Sequence, residues 1–107
     1  MKYLEILHRE ESAFIRTSKI KSILQSDDFL YIHHGGGEAL GYSCQKEKDA
    51  KKAYGAIKEF MVKDTKESVE SIIMRIDLNG NGKMFSYAVI EKVGENQVTC
   101  LQAKTSS

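Results

Sequence analysis

The sequence has no proline, no low-complexity block and no repeat at a solenoid period, so nothing in it marks a linker or divides the chain. At 107 residues it is long enough to bury a real core and too short for two. Residues 1–104 therefore read as a single α+β domain, with residues 105–107 as a frayed tail. Cysteine is scarce as well. Cys44 and Cys100 are too few and too far apart for a disulfide framework or a zinc knuckle, and they read as buried free thiols.

Charge of one sign is lacking, since the formal net charge is +1. That removes any whole-molecule argument for nucleic acid or membrane, although charge can still be segregated locally. No apolar run is long enough to cross a bilayer, and Met1-Lys2-Tyr3-Leu4-Glu5 opens no signal-peptide core, so the expected location is cytoplasmic with no membrane contact. Catalytic signatures are missing too. There is no G-x-S-x-G elbow, and Gly35-Gly36-Gly37-Glu38-Ala39-Leu40-Gly41 lacks the spacing of either common phosphate-binding loop. The expectation is a protein without a cofactor, and an enzyme is the least favoured reading, with a site assembled from distant residues left open.

What the sequence does contain is centred on Asp27 to Met61. Phe29 to His34 is rich in aromatic and β-branched residues, Gly35-Gly36-Gly37 lets the chain reverse, and Glu38 to Cys44 returns. Ala50, Ala53, Tyr54, Ile57, Phe60 and Met61 then follow one stripe at the 3.6-residue period. Glu47 and Asp49 suit the positive end of a helix dipole. The spacing predicts a helix over 47–62 with Gly55 on its solvent side.

Before this unit, Lys2 to His8 reads as a strand. Ala13 onward reads as a second strand, bent at the hydroxyls of Thr17-Ser18 and resuming at Ile20 and Ile23. With the central hairpin these make an N-terminal four-stranded antiparallel meander. After the helix, Val69, Ile72, Ile73 and Ile76 fit either a helix over 65–76 or a strand. The strand is preferred, because one hairpin then explains Ile72 to Ile76, the turn at Asn79-Gly80-Asn81-Gly82 and the branched run from Met84 to Val93. A turn at Gly94-Glu95-Asn96 and a strand over 97–104 complete a C-terminal three-stranded meander.

Three places hold candidate chemistry. Asp77-Leu78-Asn79-Gly80-Asn81-Gly82 resembles the first half of an EF-hand calcium loop, with oxygen side chains on Asp77, Asn79 and Asn81 and glycine at the sixth position. Ala88 stands where that loop carries its bidentate glutamate, so the preferred reading is a hairpin turn. His33 and His34 are adjacent and would point to opposite faces of a strand, so zinc would need one of them with His8 and Cys44 across strands.

The third place is the helix. From Lys46 to Lys66 there are seven lysines, including Lys48, Lys51, Lys52 and Lys58, against Glu47, Asp49, Glu59 and Asp64. Such a face suits an anionic partner, either an acidic protein surface or phosphates. With only three arginines in the chain and no aromatic interleaving on this segment, base readout is disfavoured. The expected function is that of a small intracellular binding or regulatory protein, of accessory or inhibitor type, acting on another protein through a surface. The alternatives are a nucleic-acid-associated protein using the lysine face and a divalent-ion module at Asp77, Asn79 and Asn81. The oligomeric state is open.

Overall fold

The computed structural model describes residues 1–80, 82–92 and 101–106, the last six by backbone. The class is α+β, with one helix and two sheets among the described residues. Strands β1 (Lys2–His8) and β2 (Glu11–Arg16) form a hairpin. Thr17–Lys19 then turns as a single 3-10 turn, and β3 (Ile20–Ser26), β4 (Phe29–His34) and β5 (Glu38–Ser43) make an antiparallel three-stranded sheet. Helix α1 (Glu47–Val62) follows, then β6 (Val69–Asp77), β7 (Phe85–Glu91) and β8 (Leu101–Ser106).

The expected N-terminal meander is corrected here. Thr17-Ser18 does more than bend a strand: it carries the chain out of the first sheet, so β2 and β3 belong to different sheets. The first sheet runs β2-β1-β6-β7, with β8 continuing it at the far edge. It is mixed, because β6 lies parallel to β1 with Leu4 opposite Met74 and Ile6 opposite Ile76. Residues 69–77 are a strand, as preferred, and they pair with β7 as the expected hairpin. β8 reaches into the segment read as a tail. Cys100 and the expected turn at Gly94-Glu95-Asn96 lie outside the described residues.

Burial explains the topology. Leu4 and Ile6 of β1 alternate with half-buried neighbours, and Met74 and Ile76 of β6 flank the exposed Arg75, so pairing these strands joins two apolar faces into one. Leu30, Ile32 and Tyr42 supply the second sheet's inner face, and Ala50, Ala53, Ile57 and Phe60 the helix's, all in one core. The expected helical stripe is thus the packed one. Tyr54 and Met61 sit at its margin, half-buried, and Gly55 is exposed with open space where a Cβ would be.

Helix α1 has no side-chain cap at either end and no basic residue in its last turn. Lys2 fills that role from β1, donating to the carbonyl oxygens of Met61 and Lys63 while its Nζ lies 5.7 Å from the centre of the Phe60 ring. The helix end is thereby tied to β1 of the mixed sheet, which Phe60 also approaches through Tyr87 of β7.

Candidate functional site

The 100° step between helical residues puts Lys48, Lys51, Lys52, Gly55, Lys58 and Val62 on the stripe opposite the buried face, and all six are exposed. Lys51 Nζ is 3.9 Å from Glu47 one turn earlier, a loose surface pair of little energetic weight. Lys52 Nζ lies 6.0 Å from the Phe85 ring centre on the mixed-sheet side. Lys58 Nζ lies 5.3 Å from the Tyr54 ring centre on the other flank. The four predicted lysines therefore share one helix face, and two of them bend to opposite edges of it.

On the Lys58 side the helix and strand β3 leave an open groove of about 500 Å³. Ile20 and Ile23 form one wall, and Tyr54, Met61 and Val62 the other, with Lys58 and Glu59 at the rim. Val62 is 81% exposed, although an aliphatic side chain gains about 1.5–3 kcal/mol on full burial. These wall residues did not emerge as a site from sequence, because Tyr54 and Met61 share the period of the core. The available signal was Val62, an apolar residue standing on the lysine face.

The Asp77–Gly82 loop is a junction. Asp77 Oδ1 accepts the Asn79 backbone N–H at 2.9 Å, and Asp77 N donates to Met84 O at 2.8 Å, closing the hairpin. Asn79 Oδ1 accepts the Arg9 backbone N–H at 2.5 Å, from the β1–β2 turn. Gln45, just before α1, donates to Asn79 O at 3.2 Å. Gly80 and Gly82 both take positive φ, at 73° and 120°. Asp77 Oδ1 and Asn79 Oδ1 are thus each engaged by a backbone N–H, and Asn81 lies outside the described residues.

The residues weighed for zinc are partly separated. The His8 ring Nε2 is 2.9 Å from Ser43 O, and the ring meets Tyr42 edge-on. His33 is exposed and His34 half-buried. Among the described residues, no three His, Cys, Asp or Glu side chains are grouped to hold a metal ion. Cys44 is a buried free thiol whose pKa is pushed up to about 11 by burial and, less, by the Asp49 and Asp28 carboxylates. It stays protonated near neutrality, which suits neither a nucleophile nor a metal ligand. No protein-family model, no curated protein and no solved structure matches the chain. No helix among the described residues is long and apolar enough to cross a membrane.

Proposed function

We propose that the protein is a small intracellular binding protein that engages another protein through the α1–β3 groove and the lysine stripe beside it. The observation that carries this reading is Val62, left 81% exposed at the end of an apolar groove and one turn from Lys58. An apolar recess edged by cations fits a partner that presents an apolar side chain flanked by carboxylates, the buried anchor supplying affinity and the charges orientation. Cys44, a thiol kept in the core, suits a reducing compartment.

Charge reversal of Lys51, Lys52 and Lys58 together tests the reading. All three are exposed, and Lys52 and Lys58 touch the fold only through loose contacts with the Phe85 and Tyr54 rings, so thermal stability should fall little while capture of the partner from native lysate weakens, most at low salt. Undiminished capture by that variant would remove the lysines from the surface. The divalent-ion alternative has no comparable support, because Asp77 Oδ1 and Asn79 Oδ1 already accept backbone N–H groups that hold the turn.

A further inference from the structure

The outer face of the mixed sheet assembles residues that are scattered in sequence. Strand alternation buries Leu4 and Ile6 on the inner side and puts Tyr3 and Glu5 outside. The registers then place Phe14, Glu5, Arg75 and Ser86 in one row across β2-β1-β6-β7, and Arg16, Tyr3, Ile73 and Ala88 in the next. Tyr3 and Phe14 stack with ring centres 5.1 Å apart and planes at 19°, and Arg16 lies 5.9 Å from the Tyr3 ring. Phe14 remains 56% exposed beside a shallow depression of about 300 Å³ that Glu5, Arg75 and Ile73 also line.

Two of the chain's three arginines are on this face. Arg75 spends its Nε–H on Glu5 Oε1 at 2.5 Å, which fixes the guanidinium plane and leaves the donors of its two terminal nitrogens without a bond to Glu5. Glu5 keeps its second oxygen as an acceptor for an N–H of a base, the N3–H of uracil or thymine included. An exposed aromatic stack, a fixed fork of donors and a second guanidinium match what an unstacked base and its phosphates offer. Glu5 and Asp77 hold the net charge of the face near zero, which disfavours a duplex bound through phosphates alone.

We propose that this face binds single-stranded nucleic acid, with a base stacked on Phe14 and the adjoining phosphates at Arg16 and Arg75. The surface is separate from the α1–β3 groove, and the proposal does not depend on the function assigned to that groove.

Fluorescence anisotropy with fluorescein-labelled dodecamers of uridine and of thymidine, and a duplex of equal length, tests this on the full chain. Both single strands should bind and the duplex more weakly. Phe14→Ala should lose roughly 5- to 150-fold, the range of one base–aromatic stack. Phe14→Leu, which keeps apolar bulk on the strand, should also lose binding at unchanged melting temperature. Arg16→Ala should weaken binding and reduce the steepness of the log–log salt dependence by about 0.7, the value for one phosphate on a single strand. Replacing Lys48, Lys51 and Lys58 with Ala should leave affinity within about threefold at moderate salt. The proposal is overturned if neither single strand binds, if the duplex binds as well, if Phe14→Leu binds like the parent, or if the lysine variant alone abolishes binding.

Discussion

Lys2 Nζ and the Met61 carbonyl oxygen lie 3.4 Å apart, joining the first strand to the last turn of the only helix among the described residues. The cation sits at the negative end of the helix dipole, where no residue of the helix supplies one. Lys2→Met, which keeps the stem and removes the charge, should cost on the order of 0.5–2 kcal/mol in chemical denaturation. Stability equal to the parent's would show that the helix end is satisfied by water.

The two faces of α1 should respond differently to truncation. Ile57 is fully buried and Phe60 nearly so, so Ala at either should cost on the order of 2–5 kcal/mol. Lys58→Ala should stay within about 0.5–1 kcal/mol, losing an exposed contact with Tyr54. Gly55→Ala should gain up to about 1 kcal/mol, because a Cβ there meets nothing within 4 Å. Equal losses at Ile57, Phe60 and Lys58 would contradict this assignment of faces.

Much of this was legible in the sequence, and the exceptions share one cause. The helix bounds, the β6–β7 hairpin and the core stripe are written in local periodicity and turn residues. The parallel pairing of β1 with β6 is not. Glu5 and Arg75 face each other across that pair at a separation of 70 residues, and no local pattern selects a partner at such a distance. The break at Thr17-Ser18 was visible as a bend, but whether a bend keeps or changes sheets depends on burial downstream. Arginine and aromatic residues looked too sparse for base stacking because Tyr3, Phe14, Arg16 and Arg75 meet only through that pairing.

Cys44 should make the fold sensitive to alkali. Its pKa is raised from 9.0 to about 11 in the folded protein, so between those values the unfolded chain loses the proton first and stability falls as pH rises. Burial likewise raises the Tyr42 and Tyr87 hydroxyls, which add to the loss at higher pH. Melting temperature should therefore decline above about pH 9, less steeply in Cys44→Ala. Identical slopes in parent and variant would remove the thiol from that dependence. The native protein should also resist thiol alkylation at pH 7.

In the Asp77–Gly82 loop, backbone conformation should matter more than charge. Gly82 has φ at 120°, so Ala there should destabilise by more than about 1 kcal/mol. Asp77→Ala removes one acceptor and should cost about 0.5–1.5 kcal/mol. Millimolar calcium should leave the melting temperature unchanged. A calcium-dependent rise that Asp77→Ala abolishes would instead establish an ion loop.

The partner surface is tested most directly by comparing two exposed apolar residues in capture from native lysate. Val62 stands at the groove, whereas Leu24, 54% exposed, is absent from the groove walls. Val62→Asp should lose the species that the parent retains, Leu24→Asp should retain it, and both should melt near the parent. Retention of that species by Val62→Asp at parental levels would contradict the assignment of the α1–β3 groove as the binding surface.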